Sequence, residues 1–284
     1  MQRLDDFFNS LWQQYIAITP QALAIHDLLK KQGEVLVNDH VAFRTFSHSA
    51  YSIEQLEPQL LSLGFSVLDN YQFKKKKLSA RCYIHKDTPT KIFVSELLWQ
   101  ELPKASKQIV EGILHEGTSH TGTSHTGTSQ ANISISCGRL WCLPSYQNYK
   151  TLLKDSEYAA WLSVWGLRVN HFTIHINYLK KYNSLEKVVS LLRQYGYLLN
   201  EEGGVIKGSE EDCLIQTSTM ADKQELEFLD AGEQLVSSCY YEFAQRFKQK
   251  NGEIFEGFVP SSADKIFEST NELTPVSTSS DVIR

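Results

Sequence analysis

The residues best suited to chemistry in this 284-residue chain are two histidines that lie in similar segments. His40 lies in NDHVAFRTF at 38–46, and His171 lies in VNHFTIHIN at 169–177. In each segment an Asn or Asp precedes the His. The His begins a run of alternating apolar and polar residues, which is typical of a half-buried strand. Neutral imidazole binds many divalent metals, so the paired histidines indicate a metal site.

A carboxylate that could complete such a site is Glu242, in the segment SCYYEFAQRF at 238–247. We predict a strand here, on which Tyr240, Glu242 and Arg246 share one face. A carboxylate between apolar neighbours is costly to bury unless a positive charge meets it. Two imidazoles and one carboxylate form the set that holds Fe(II) on one side and leaves positions open for an oxo acid and O₂.

Arg44 lies on the same strand face as His40, with the small Ala42 between them, so its guanidinium could clamp an anion beside the metal. The alternative is that His40 is a hydrogen-bonded strand histidine and Arg44 a surface or ion-paired residue. His175 takes the equivalent position to Arg44 in the second copy. Because a strand places it too far from His171 for both to bind one ion, we predict a supporting or substrate-facing role for His175.

The similarity between the two copies continues beyond the histidine strands. In both, a Ser, a Glu two residues later, apolar residues at helical spacing and a closing Gly follow. Ser52 and Ser184 are 132 positions apart, as are Gly64 and Gly196, and the two histidines are 131 apart. The sequence therefore predicts an α+β fold of two duplicated strand-helix-strand-strand-strand modules, which form a curved sheet or barrel around the metal site, with added helices.

The repeat and the local composition divide this single compact domain into segments. We predict N-terminal helices over 1–35, a first module over 36–116, linker and core helices over 132–167, a second module over 168–250 and a C-terminal segment over 251–284. In the second module, 213–216 and 226–229 are predicted to be the middle strands.

The remaining segment, 117–131, repeats Gly-Thr-Ser-His-Thr, so that its histidines recur every five residues. That period keeps side chains together neither on a helix nor on a strand, and a Gly/Ser/Thr tract is flexible. We therefore predict a flexible loop and not a second metal site.

Composition excludes several classes of protein. A net charge of −5 supplies no basic field, so nucleic acid is not an expected partner. The five cysteines contain no C-x-x-C pair and predict reduced, mostly buried thiols. An acidic amino terminus and the lack of an apolar run near ~20 residues predict a soluble cytoplasmic protein without a membrane span. Nothing in the sequence predicts the oligomeric state.

The duplicated modules resemble the vicinal-oxygen-chelate superfamily, and five segments resemble the 2-oxoadipate dioxygenase/decarboxylase family, also called hydroxyglutarate synthase. These segments are NDHVAFRTF, KIFVSEL, VNHFT, YYEFAQR and FVPSSADKIFEST, at 38–46, 91–97, 169–173, 240–246 and 258–270. The resemblance implies that His40, His171 and Glu242 are iron ligands. It also implies that Arg44 holds the substrate carboxylate and that Ser262 lies at the far end of the substrate.

The activity that this resemblance implies is the conversion of 2-oxoadipate and O₂ into 2-hydroxyglutarate and CO₂ during lysine catabolism, with non-haem Fe(II) as the cofactor. A small 2-oxo acid and O₂ are then the expected partners. Two alternatives remain open. A metal-dependent lyase, isomerase or hydrolase on the same scaffold needs a metal but no O₂, whereas a non-catalytic small-molecule-binding protein needs the cavity but no metal.

Overall fold

The computed structural model describes residues 2–120 and 133–270. Its helices are α1 (Gln2–Ile16), α2 (Pro20–Lys31), α3 (Ile53–Ser62), α4 (Lys104–His120), α5 (Tyr146–Asp155), α6 (Glu157–Trp165), α7 (Leu185–Gln194) and α8 (Pro260–Ile266). Its strands are β1 (Asn38–Phe46), β2 (Ser66–Phe73), β3 (Leu78–His85), β4 (Thr88–Leu97), β5 (Val169–His175), β6 (Lys207–Ser209), β7 (Leu214–Ser218), β8 (Lys223–Phe228), β9 (Gly232–Ser237) and β10 (Tyr240–Arg246). Within those two ranges, no helix combines the length and the hydropathy needed to cross a bilayer.

Eight of the strands form one sheet in the order β2-β3-β4-β1-β5-β10-β7-β6. The first strands of the two modules, β1 and β5, pair antiparallel at its centre. Each is also paired in parallel with the last strand of its own module, β4 or β10. The sheet curls into a half-barrel, and α8 packs against β6, β7 and β2, which come from both ends of the order. The prediction of a duplicated α+β fold is confirmed.

The two central strands are buried on both faces, so the prediction that the histidine strands are half-buried is wrong. All seven residues of β5 are buried, as are eight of the nine in β1. Helix α1 packs against the outer face of β5, where Trp12 and Tyr15 each place a ring 5.1 Å from the ring of Phe172. The predicted N-terminal helices therefore cover the sheet and leave its inner face for the site.

The second module departs from the sequence prediction at one of its middle strands. Strand β7 includes most of the predicted 213–216 strand, but the 226–229 strand does not join the large sheet. It falls in β8, which pairs with β9 in a separate hairpin. Leu226 and Phe228 share the inner face of β8 and pack against the core, with the ring of Phe228 beside Tyr146 and Tyr149 of α5. The segment therefore buries its apolar face against that helix and not in the large sheet. Strand β6 takes the predicted place.

The predicted loop over 117–131 is wrong for its first four residues, which continue α4. The hydroxyl groups of Thr118 and Ser119 donate to the carbonyl of His115, one turn earlier, and so remain satisfied within the helix. Gly117 lies against Tyr51 and Trp141, so closely that a Cβ there would lie 2.2 Å from the Tyr51 hydroxyl. The rest of the predicted loop, 121–131, lies outside the described residues.

The five cysteines are free thiols, as predicted, but the prediction that most are buried is wrong. Only Cys82, which lies in β3, and Cys239, which directly precedes β10, are buried. Cys137 and Cys142 are exposed because they lie in the irregular segment before α5, and Cys213 is partly exposed.

Candidate metal centre

Three side chains from three strands meet on the inner face of the sheet. His40 comes from β1, His171 from β5 and Glu242 from β10. The two Nε2 atoms are 3.3 Å apart, and Glu242 Oε2 and Oε1 lie 3.4 Å from His171 Nε2 and 3.7 Å from His40 Nε2. Ligand atoms at about 2.0–2.1 Å from a single ion are separated by roughly 2.8–3.4 Å. The group therefore has nearly the spacing of a metal-bound set, and we call it the triad.

The sheet register explains why these residues meet. Strand β5 lies between the other two, and Thr173 on β5 is directly opposite His40 on one side and Glu242 on the other. The Thr173 hydroxyl lies 3.1 Å from His40 Nε2. His171 is two residues before Thr173 and so projects from the same face. The triad is thus fixed by backbone pairing and does not depend on a flexible loop.

The residue before each histidine orients its ring. His40 Nδ1 donates to Asp39 Oδ1 at 2.8 Å, and His171 Nδ1 donates to Asn170 Oδ1 at 3.1 Å. A proton held on Nδ1 leaves the lone pair on Nε2 free to bind a metal. The repeated Asp/Asn-His pair was visible in the sequence, and its function could have been predicted from that repetition.

The electrostatics of the triad favour a cation at its centre. Burial lowers the pKa of His171 well below its usual value, as do the nearby His40 and Arg44, so the ring stays neutral. Burial raises the pKa of Glu242 to about 8. Gln216 Nε2 donates to Glu242 Oε1 at 2.5 Å, while the buried Oε2 has no hydrogen-bond partner. The Nε2 lone pairs of two imidazoles and an unpartnered carboxylate oxygen are the donors that a divalent ion would satisfy.

Asp39 connects the triad to two further basic groups. Arg246 donates to both of its carboxylate oxygens, at 2.5 and 2.8 Å. Burial alone would raise the pKa of Asp39, but the Arg246 guanidinium outweighs it and holds that pKa well below its usual range. His175 Nε2 lies 3.7 Å from Asp39 Oδ2, outside the triad. Its predicted contact with substrate stays a prediction, and its position supports Asp39 and, through it, His40.

Arg44 is buried in an ion pair, as one alternative from the sequence allowed, and its partner, Glu157, could not be identified from the sequence. Its Nη1 donates to Glu157 Oε2 at 3.1 Å, and its Nη2 donates to the Thr270 hydroxyl at 2.9 Å. The guanidinium carbon lies 4.7 and 5.2 Å from the ring centres of Tyr158 and Trp161. Arg44 Nε, by contrast, is buried without a partner. The group keeps a donor for a ligand, and its role as the substrate clamp stays a prediction.

Aromatic rings enclose the other side of the triad. The ring centre of Phe258 lies 4.8 Å from that of His40 and 4.7 Å from that of Phe93 on β4. Tyr240 stacks on His171 with the ring centres 4.5 Å apart, and its buried hydroxyl has no hydrogen-bond partner. These rings exclude water around the triad and form an apolar wall along which a carbon chain can lie.

Comparison of the two modules explains why the triad contains one carboxylate. Lys91 on β4 lies opposite His40, just as Tyr240 on β10 lies opposite His171. Two residues further along, the second module has Glu242 and the first has Phe93. The duplicated strands thus provide one carboxylate and one aromatic ring at equivalent places.

Ser262, the last predicted site residue, lies on α8 and is 3% exposed. A Cβ on Gly208 in β6 would lie 3.2 Å from its Oγ, which places Ser262 beside the edge strand and outside the triad. Its contact with substrate stays a prediction. The polar groups that sequence reasoning missed come from distant segments, and only strand pairing and helix packing bring them to the site. They are Gln216, Lys207, Glu157 and Thr270.

Residues 7–253 match the family model of the 2-oxoadipate dioxygenase/decarboxylases. The chain belongs to this family. A curated relative, the chloroplastic/amyloplastic 2-oxoadipate dioxygenase/decarboxylase of Oryza sativa subsp. japonica, is 33% identical over 94% of this chain and 79% of its own length. Members of the 2-oxoadipate dioxygenase/decarboxylase family are named for an oxidoreductase-type activity, so the prediction of an enzyme is confirmed, as is the resemblance noted from the sequence.

Solved structures agree with this family membership. The hydroxyglutarate synthase of Oryza sativa, crystallised with 2-oxoadipate, is 29% identical with a TM-score of 0.82 and covers 94% of this chain and 93% of its own. A protein named provisionally as a hydrolase, from Shewanella frigidimarina NCIMB 400, is 39% identical with a TM-score of 0.80, over 90% of this chain and 97% of its own. A protein from Ralstonia eutropha JMP134 placed provisionally in the glyoxalase superfamily is 20% identical with a TM-score of 0.71, over 88% and 83%, and shows a shared fold alone.

Proposed function

We propose that this protein is a non-haem Fe(II)-dependent dioxygenase/decarboxylase that converts a 2-oxo acid such as 2-oxoadipate into a 2-hydroxy acid and CO₂. For 2-oxoadipate the atoms balance: one O₂ is consumed, one CO₂ leaves, and 2-hydroxyglutarate retains the other atoms. The single observation that carries the proposal is the convergence of two Nδ1-protonated imidazoles and one buried carboxylate on one point. With this substrate, the protein would act in lysine breakdown, as the family resemblance implies.

The donor set supports a divalent first-row metal, and Fe(II) is the ion that such a two-His-one-carboxylate set holds in oxygenases. Bound there, Fe(II) supplies the redox chemistry that activates O₂. The protein contributes the geometry. Asp39 and Asn170 keep the protons of His40 and His171 on Nδ1, and Gln216 holds one carboxylate oxygen of Glu242.

The groups around the triad suit a small anionic substrate. The positive charge of Arg44 adds to burial in lowering the pKa of His171, and it opposes the rise that burial causes in the pKa of Tyr240. Its unpartnered Nε is a hydrogen-bond donor for a carboxylate. Phe93 and Phe258 provide an apolar surface for methylene groups and exclude water from the reacting centre. The Tyr240 hydroxyl, buried and unpartnered, is a further donor that can orient the bound substrate.

The deciding experiment is an oxygen-electrode assay of the Fe(II)-loaded protein with 2-oxo acids of three to seven carbons, with CO₂ release measured in parallel. Oxygen uptake coupled to CO₂ release, with a maximum at one chain length and absent in His171→Ala, is the expected result. Stoichiometric metal binding with no O₂ uptake on any of these acids would overturn the proposal and favour the lyase or hydrolase alternative. Lack of metal binding would favour a binding protein.

A further inference from the structure

Four lysine and arginine residues described in the structure are at least 97% buried, and three of them face a carboxylate. Arg44 pairs with Glu157, Arg246 with Asp39 and Lys91 with Glu256. Lys207 is 1% exposed, and its ammonium donates to the backbone carbonyl of Asn200. Among the described residues, no carboxylate lies within ion-pair distance of it. A buried ammonium without an anionic partner is costly, so its presence requires an explanation.

The position of Lys207 brings it towards the metal centre. It lies on β6 directly opposite Gln216 of β7, and Gln216 donates to the triad carboxylate of Glu242. Opposed residues of an antiparallel pair share a face, so Lys207 also points inward. Burial lowers the pKa of Lys207 to about 8, and the negative charge of Glu242 opposes that fall. The side chain therefore remains largely charged near neutral pH.

One turn near the C-terminus connects the surroundings of Lys207 and Arg44. In the 3₁₀ turn Phe267–Thr270, the Ser269 hydroxyl accepts from the side chain of Asn200, whose carbonyl receives Lys207. The next residue, Thr270, accepts from Arg44. Two buried cations thus border the same inner face of the sheet. The charge of Arg44 adds to burial in lowering the pKa of His171, and the charge of Lys207 interacts with that of Glu242. A ligand with an anion at each end matches this arrangement.

We infer that Lys207 binds the distal carboxylate of a dicarboxylic 2-oxo acid and thereby selects dicarboxylic over monocarboxylic substrates. This inference rests on the proposed function. The 2-oxo acid end lies at the triad near Arg44, the methylene groups lie along Phe93 and Phe258, and the second carboxylate meets Lys207. The ammonium has three donors and uses one on Asn200, which leaves two for the carboxylate. Ser262, beside Gly208, borders the same end.

The competing explanation is that Lys207 only balances the charge of Glu242. In that case its removal would leave the site more negative, so metal affinity would rise and the binding of every anionic 2-oxo acid would weaken alike. A substrate-selecting lysine instead affects only ligands that carry a second carboxylate. The two explanations therefore differ in metal affinity and in the ratio of two substrate affinities.

The test compares 2-oxoadipate with 2-oxohexanoate, which has the same number of carbons but no distal carboxylate. Binding to the Fe(II)-loaded protein is measured without O₂ by calorimetry, so that turnover is not required. We expect the wild type to prefer 2-oxoadipate. Lys207→Met should weaken 2-oxoadipate binding by roughly 10- to 100-fold, the effect of losing a charged hydrogen bond, with little change for 2-oxohexanoate or in iron content. Lys265→Met, which removes a charge from the exposed side of nearby α8, is the matched control and should keep the preference.

Three outcomes would overturn the inference. The first is equal affinity of the wild type for both acids. This measurement needs no variant, so it tests the inference even if Lys207→Met does not fold. An unchanged preference in Lys207→Met, or equal losses of affinity for both acids together with tighter iron binding, would favour the charge-balance explanation. If the wild type neither binds nor oxidises any 2-oxo acid, the proposed function itself fails. If it oxidises 2-oxoadipate but Lys207→Met keeps the preference, only the inference fails.

Discussion

His40 and His171 occupy equivalent places in the two modules, and their Nε2 atoms lie 3.3 Å apart with the ring protons held on Nδ1. Two imidazole lone pairs at that distance repel each other unless a cation lies between them. The hydroxyl of Thr173 is close enough to His40 Nε2 to relieve part of this repulsion. Metal binding would relieve the rest, which is the physical basis of the first prediction.

Loss of a triad ligand should abolish metal binding, and loss of its orienting partner should weaken it. His171→Ala removes a donor, so we expect no stoichiometric iron by metal analysis. Asn170→Ala leaves the donor but frees the ring, and a roughly 10- to 100-fold loss of affinity is expected in a chelator competition. Replacing His120 and His125 together by Ala is the control, because the five-residue spacing assigns them no ligand role. Loss of iron in that control would contradict the assignment of the triad.

Arg44 and Glu157 should affect substrate affinity in opposite directions. Arg44→Met removes the charge and should weaken 2-oxo acid binding by roughly 10- to 100-fold while the iron stays bound. Glu157→Gln removes the carboxylate that competes for Arg44, so we expect a lower KM with similar iron content. Initial rates over a range of substrate concentrations measure both effects. A higher KM in Glu157→Gln would mean that the ion pair positions Arg44 and does not compete with substrate.

The pH dependence of stability should report the burial of Glu242. In the metal-free folded protein burial raises its pKa to about 8, above the value of the unfolded chain. The contribution of Glu242 to the free energy of unfolding is therefore fully present below the pKa that this group has in the unfolded chain. It is lost as the pH rises towards 8. Gln cannot ionise, so metal-free Glu242→Gln should gain stability relative to the wild type, by up to about 1.4 kcal/mol per pH unit over this range. Urea unfolding at pH 5, 6, 7 and 8 measures the difference.

Metal loading provides the control for that experiment. A bound cation favours the ionised carboxylate, so the loss of wild-type stability with rising pH should become smaller when iron is present. A difference between the wild type and Glu242→Gln that stays constant with pH in the metal-free state would show that Glu242 does not titrate in this range.

Removing the hydroxyl of Tyr240 should affect function without affecting stability. That hydroxyl is buried without a partner, so Tyr240→Phe should change Tm by no more than about 1 °C, since no hydrogen bond is lost. If it orients the substrate, kcat/KM should fall by about tenfold. Tyr241→Phe is the matched control, since it also removes a buried, unpartnered hydroxyl but from the opposite face of β10. A similar loss of kcat/KM in both variants would argue against a specific role for Tyr240.

The sequence predicted the parts of the molecule that depend on local periodicity or on repetition. The histidine strands and their helices appear twice in the chain, so their arrangement in the sheet followed from the repeat. Glu242 was identified because a carboxylate among apolar strand residues needs a partner. The 226–229 strand was assigned wrongly because an apolar pattern does not specify which sheet a strand joins. Lys207 and Glu157 carried no sequence signal, since the charged groups with which they interact, Glu242 and Arg44, lie more than 30 and 100 positions away.

The pairing of β1 with β5 means that each module supplies one imidazole to the same point. A fragment containing only the first module has a single triad ligand, and one imidazole binds a divalent ion weakly. A metal ion bound at the triad would therefore link the two homologous halves, and its retention would measure whether they have paired in the correct register. If the pairing of β1 with β5 shifted by two residues, both histidines would stay on the inner face of the sheet. They would, however, move about 7 Å apart along the strands, too far to share an ion. For any variant at this interface, we therefore expect the content of bound metal to report correct pairing of the two modules.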